Sequence, residues 1–219
     1  MPLVMTEIWL IRHGESESNA GLPTSDTAKI ALTPRGFAQA ESIVPAFVRP
    51  LSLIVTSPYL RAQQSAQPTI KRFPQARLAE WPVHEYTYLS LGNRHGTTLQ
   101  DRRPLVEAYW ERADPQHVDG DGAESFIALV ARAAQILDRI KHLEDDFVAI
   151  FSHGLFIRTM IWVLLTGSVK IDAVMMRRYR SFIFGFSIPN ASILKLYVNG
   201  EREVFFSNIM MAHLPTFLI

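Results

Sequence analysis

A chain of 219 residues that is 48% hydrophobic can build one sizeable core, and a single domain over residues 1–219 is expected. Its 22 Lys and Arg nearly balance 21 Asp and Glu, to a formal charge of +1. No global field therefore favours nucleic acid or an anionic membrane, and any anion site must be local. The lack of cysteine excludes disulfides, thiolate catalysis and Cys-rich zinc sites, and fits a reducing, cytoplasmic setting.

The chain opens MPLVMTEIWLIRHG, with neither a basic n-region nor a small-residue cleavage site, so it reads as starting with its first strand. Ile8-Trp9-Leu10-Ile11 is a short apolar block without helical period, as in a strand buried on both faces, and it stops abruptly at Arg12-His13-Gly14. The glycine lets the backbone turn or approach a ligand closely. Pro34 to Val48 has Phe37, Ala40, Ile43, Val44 and Phe47 at helical spacing, with Thr33 as N-cap and Pro34 in the first helical position. Leu51–Thr56 is a second buried strand, and Ser57-Pro58 starts a helix that should run through Ile70.

Arg77–Ala79 is a candidate third strand, and residues 80–122 read as irregular, a lid-like insertion of mixed aromatic and charged residues. From Glu124, the positions Phe126, Leu129, Val130, Ala133, Ile136, Leu137 and Ile140 describe a long amphipathic helix. Phe147–Phe151 is another buried strand, ending in Ser152-His153-Gly154 ahead of an apolar helix over 155–165. That helix has Arg158 in it and is too short to span a bilayer. Late strands follow near 192–197 and 203–206, and the apolar tail NIMMAHLPTFLI should dock on the domain, a homodimer contact being the alternative. This alternation predicts an α/β fold: a three-layer sandwich with a mainly parallel central sheet flanked by helices.

In a parallel sheet the ends of these strands share one edge, where ligands bind. Arg12, His13, Arg61 (one turn into the second helix) and His153 would converge there although they span about 140 positions. Helix N-termini after Ser57 and after His153 would add backbone N–H donors, and arginine forks suit phosphate oxygens. The spacing points to a phosphate site. Metal ligation is not expected, since His84, His95, His117, His142 and His213 lack ligand spacing.

The stretches RHGESESN (12–19), LTPRGFAQA (32–40), SPYLRAQQSA (57–66), DGAESF (121–126) and SHG (152–154) resemble, in order and separation, the histidine phosphatase superfamily in its phosphoglycerate-mutase-like branch. The resemblance implies a phosphoglycerate-mutase-like fold, no cofactor and no metal. It makes His13 the nucleophile that becomes phosphorylated, Arg12, Arg61 and His153 the groups holding the phosphoryl oxygens, and Asn19 a pocket asparagine. Gly154 enters as substrate-binding through the SHG match. A carboxylic acid after the third strand should protonate the leaving group; Glu85 in EWPVHEYTYL matches best, with Glu80 as the alternative. Glu15 and Glu124 are read as orienting arginines or capping helices.

The implied activity is hydrolysis of a phosphomonoester through a covalent phosphohistidine, on a small phosphorylated metabolite or else a phosphoprotein. The alternatives are a phosphoglycerate-type mutase sharing the intermediate, and an inactive phospho-ligand binding module. Loop 20–31 is short and has Ile30-Ala31 where mutases often carry an acidic residue before Leu-Thr, which speaks against the mutase. Arg94, Arg102 and Arg103 would line the entrance and favour substrates with a second anionic group, Arg94 being the substrate-binding candidate.

Overall fold

A computed structural model describes residues 5–167 and 170–219; the first four residues of the opening stretch, and residues 168–169, lie outside it. Six strands form one sheet: β1 (Thr6–Arg12), β2 (Leu53–Thr56), β3 (Arg77–Glu80), β4 (Phe147–Ser152), β5 (Ile193–Val198) and β6 (Val204–Met210), in the order β3-β2-β4-β1-β5-β6. The first four run parallel, and β5 and β6 are antiparallel additions at one side.

The apolar strand blocks serve both faces by strict alternation. Ile8 and Leu10 of β1, Val148 and Ile150 of β4, and Leu194 and Leu196 of β5 enter one core; Trp9 and Ile11, Ala149 and Phe151, and Ile193 enter the other. The first core is closed by α5 (Phe126–Lys141) and α6 (Gly154–Thr166), the second by α1 (Pro34–Ile43) and α2 (Leu60–Arg72). Three layers result, as the alternation of elements implies.

Thr33 caps α1 by accepting from Gly36 N at 3.1 Å, and Ser125 caps α5 by accepting from Ala128 N at 3.2 Å. The first helix is shorter than its apolar pattern, because Pro45 diverts Val44–Ala46 into a 3-10 turn. The second begins at Leu60 rather than at Ser57-Pro58 and continues to Arg72.

Three of the described helices are unread in the sequence. α4 (Arg103–Arg112), inside the segment expected to be irregular, buries only the adjacent pair Tyr109 and Trp110, so it has no visible helical period. The same segment holds the short α3 (Leu91–Arg94). α7 (Ala173–Gly185) is capped by Asp172, which accepts from Val174 N and Met175 N, and it buries Met175, Met176 and Tyr179. The C-terminal tail docks with Leu214 and Leu218 buried, while Gln39 Nε2 donates to Leu218 O at 2.7 Å.

Candidate active site

The pairings Arg12 with Ser152 and Thr56 with Phe151 put the carboxyl ends of β1, β4 and β2 level along one edge. The residues immediately beyond, His13, His153 and Ser57, therefore meet, and the two imidazole centroids are 5.1 Å apart. Beside them is a cavity of about 200 Å³, with Arg12, His13, Asn19, Arg61 and Glu85 in its wall.

His13 is buried, and its Nδ1 lies 2.6 Å from Gly14 O. A carbonyl only accepts, so Nδ1 carries the proton and Nε2 is left with its lone pair, toward which Arg61 Nε donates at 3.1 Å. Burial first, then the charges of Arg61 and Arg12, push the His13 pKa well below that of a free imidazole. His153 is depressed in the same way, by burial and by Arg61. Its Nε2 is 2.8 Å from Ser57 Oγ, and its Nδ1 is buried without a partner. Burial lowers the pKa values of Arg12 and Arg61 to about 10, which leaves both charged at neutral pH.

These shifts carry a stability consequence. Above pH 6.5 both imidazoles are neutral folded or unfolded; below it, the unfolded chain takes protons that the folded one refuses. Stability should therefore fall with acidification from pH 6.5 toward the depressed folded values, by about 1.4 kcal/mol per pH unit for each of His13 and His153. Urea titrations at pH 7.5, 6 and 5 measure this, and a flat profile would contradict the neutral buried pair.

Glu85 lines the cavity and is held by three backbone N–H groups: Oε1 accepts from Tyr86 at 3.0 Å and Phe156 at 3.1 Å, and Oε2 from Leu155 at 3.2 Å. The N-terminus of α6 is thus capped by this carboxylate. At α2, Leu60 N donates to Ala28 O at 2.8 Å and Tyr59 N to Ser57 Oγ at 3.2 Å. Against the expectation that both helix N-termini offer their donors to a phosphate, the Tyr59, Leu60, Leu155 and Phe156 amides are already occupied by protein acceptors.

The residues before Glu85 are held by a clamp at the start of α5. Glu124 grips the Arg132 fork at 2.9 and 2.6 Å, and Arg132 Nη1 donates to Pro82 O and His84 O, both at 2.9 Å. Glu124 therefore orients an arginine, while Ser125 caps the helix. Glu15 accepts from Thr33 Oγ1 at 2.7 Å and pairs with Arg35. Glu80 is at the far edge of the sheet, where it accepts from Gln63 Nε2 at 3.2 Å and does not line the cavity.

Two glycines have roles different from those read in the sequence. A Cβ on Gly14 would lie 2.3 Å from Gly36 O, so Gly14 admits the backbone of α1 rather than a ligand. Gly154 is not on the cavity wall; a Cβ there would meet Arg12 Nε at 3.3 Å, so its bare Cα leaves room for that guanidinium. His153 likewise stands behind the wall, against His13 and Tyr59.

The segment after β3 supplies the outer wall, including Tyr88, Leu89, Arg94 and Arg102. The latter two are buried and bonded to neutral groups only: Arg94 Nε donates to Ser90 O, and Arg102 to Thr98 O, Thr97 O and Thr24 Oγ1. Arg94 Nη1 is buried with no partner. Arg103 departs from expectation, being exposed and paired with Glu107 at 2.9 Å because it starts α4 on the solvent side. Sequence reasoning missed Asn190, which binds the His13 loop from between α7 and β5. Its SIPNAS context offers no periodicity to find it by.

Four arginines and one carboxylate around a neutral imidazole make a pocket for phosphoryl chemistry, cationic where charge must be held and uncharged where a nucleophile is needed. The profile of the histidine phosphatase superfamily (branch 1) matches residues 8–205, and the chain belongs to that superfamily. The adenosylcobalamin/alpha-ribazole phosphatase of Salmonella typhimurium is 28% identical over 168 residues, 73% of this chain and 79% of that protein. Among solved structures, the alpha-ribazole phosphatase of Shigella flexneri has a TM-score of 0.70 at 21% identity, covering 92% of this chain and 95% of that one. The phosphoserine phosphatase of Entamoeba histolytica, in complex with 3-phosphoglyceric acid, has a TM-score of 0.70 at 24% identity, covering 96% and 100%. The two structures share the fold. The protein is a histidine phosphatase, a phosphoric monoester hydrolase.

Proposed function

We propose that this enzyme hydrolyses a small phosphorylated metabolite, with His13 Nε2 as nucleophile and Glu85 as general acid and base. The observation that carries the reading is the bond from His13 Nδ1–H to Gly14 O, which fixes the proton of the neutral ring on Nδ1 and leaves the Nε2 lone pair directed to Arg61. In the first step Nε2 forms a bond to phosphorus as the ester P–O bond breaks, and the leaving alkoxide takes a proton from the Glu85 carboxylic acid. In the second, the Glu85 carboxylate takes a proton from water, whose oxygen attacks the phosphohistidine; inorganic phosphate leaves and Nε2 recovers its lone pair. Oε2, with one long hydrogen bond, is the oxygen with capacity to carry that proton. Arg12, Arg61 and Asn19, which line the cavity, would hold the phosphoryl oxygens, and His153 would support the His13 ring from behind the wall.

Charge supports a substrate class. Around the cavity Arg12, Arg61, Arg94 and Arg102 contribute four positive charges, and Glu85 carries none while it holds the proton for the leaving group. A phosphomonoester dianion neutralises two. A further anionic group on the leaving group, a carboxylate or second phosphate, would offset charge that remains at Arg94 and Arg102. Phosphate release across a panel of simple alkyl phosphates, phosphorylated hydroxy acids and bisphosphates tests both parts. The doubly anionic esters should have the higher kcat/KM, and Arg94→Ala should raise their KM about tenfold while leaving simple esters little changed. Equal loss for all substrates would remove the specificity role, and no phosphate release from any ester would remove the phosphatase reading itself.

A further inference from the structure

The loop between α7 and β5, residues 186–192, is bonded to the His13 loop, and the chemistry proposed above makes no use of it. Ala191 N donates to His13 O at 3.1 Å, Arg12 N donates to Ser192 O at 3.1 Å, and Arg12 Nη1 donates to Ile188 O. Ala191 has a φ of +56°, in the left-handed region that costs a non-glycine residue energy. The His213 ring is bound behind it, Nε2 donating to Ala191 O at 2.9 Å. A strained turn tethered from both sides is a rigid mount for the side chain just before it.

That side chain is Asn190. Its Nδ2 lies 3.1 Å from His13 O, 3.2 Å from Gly14 O and 3.1 Å from Asn19 Oδ1. All three partners are acceptors, so only the nitrogen end of the amide can face them. Gly14 O is also the atom that receives Nδ1–H from His13 and so selects the tautomer with a bare Nε2. Asn19 Oδ1 is bonded as well by Ser16 N at 3.2 Å and Ser16 Oγ at 3.0 Å. With its oxygen occupied by these donors, Asn19 has only its NH₂ group to offer the cavity that it lines.

We propose that Asn190 is a positioning residue: without touching substrate, it holds the Gly14 carbonyl that sets the His13 tautomer, and it turns the Asn19 amide so that a donor faces the phosphoryl group. The inference rests on the reading of His13 as nucleophile.

The test uses the whole enzyme with inorganic phosphate as probe, and compares Asn190→Ala with Asn190→Asp, which keeps the shape but offers acceptors where a donor is needed. The ¹⁵N spectrum of the His13 ring reports the tautomer, and calorimetry reports the phosphate Kd. We expect a single Nδ1–H tautomer in the wild type and a mixture in both variants, with phosphate bound about tenfold more weakly. Asn19→Ala should weaken phosphate similarly, and the Asn19→Ala/Asn190→Ala double variant should bind no more weakly than either single one, because the same contact is lost. Retention of the wild-type tautomer and phosphate affinity in both Asn190 variants, with only the melting temperature lowered, would make the residue merely structural and overturn the proposal. Additive losses in the double variant would overturn the route through Asn19. If the tautomer shifts as expected yet the wild type forms no phosphohistidine, the positioning stands and the nucleophile assignment falls.

Discussion

His13→Ala is expected to lower kcat by at least about 10⁴-fold on every substrate and to abolish the phosphoenzyme. The expectation follows from the arrangement of the ring. Burial and two guanidinium charges keep the imidazole neutral, Gly14 O takes its Nδ1 proton, and Nε2 is the atom left facing Arg61. Among the described residues of the cavity wall, no other group is an imidazole with an unprotonated nitrogen in that cationic setting; His153 stands behind the wall with Nε2 bonded to Ser57. Rapid mixing with ³²P-labelled ester and an acid quench should leave label on the wild-type protein in an acid-labile, base-stable form, as a phosphoramidate behaves, and none on the variant. Label that survives in His13→Ala would move the nucleophile elsewhere. The chase also separates hydrolysis from mutase chemistry, since label that ends in inorganic phosphate reports hydrolysis and label in an isomeric ester reports transfer back to an organic acceptor.

Glu85→Gln should discriminate between leaving groups. An alkoxide needs a proton as the P–O bond breaks, which is worth about a hundredfold or more, whereas p-nitrophenolate leaves with little help. Turnover of alkyl phosphates should therefore fall about a hundredfold and that of p-nitrophenyl phosphate much less. The substitution also has a structural cost. Glu85 accepts backbone N–H bonds on both oxygens and caps α6, whereas glutamine has only one acceptor and no charge to set against the helix dipole. A stability loss of about 1 kcal/mol should accompany the kinetic effect. The two are separable because lost stability affects both substrate classes alike. A small, equal decrease in kcat for alkyl and aryl esters would leave Glu85 as a cap and return the acid to another carboxylate. Glu80 is poorly placed for it, being across the sheet edge and bonded to Gln63.

The substrate-facing wall was the least legible part of the chain. The segment from 80 to 122 contacts the cavity through residues whose spacing follows no secondary-structure period, and α4 buries two adjacent aromatics instead of a stripe. Arg94, Arg102 and Arg103 look equivalent as sequence, yet the first two are buried in the wall and the third is paired with Glu107 in solvent. Which face of a short helix a residue occupies is decided by what the helix packs on, and no local pattern records that.

The sequence by itself determined the alternating α/β order, because buried parallel strands must be continuous apolar blocks and amphipathic helices must repeat every 3.6 residues. It also determined that Arg12, His13, Arg61 and His153 would meet, since parallel strands end on one edge whatever the loops between them do. Only the tertiary structure decided how these groups are held. The His13 tautomer depends on a carbonyl steadied by Asn190, 177 residues away in the chain. The Glu85 carboxylate is bound by the first amides of α6, and the residues before it are clamped by a salt bridge at the start of α5. Gly14 and Gly36 are bare because two backbones pass within contact distance. Such bonds join atoms that are distant in sequence and leave no periodic trace in it, so they become visible only once the chain is folded.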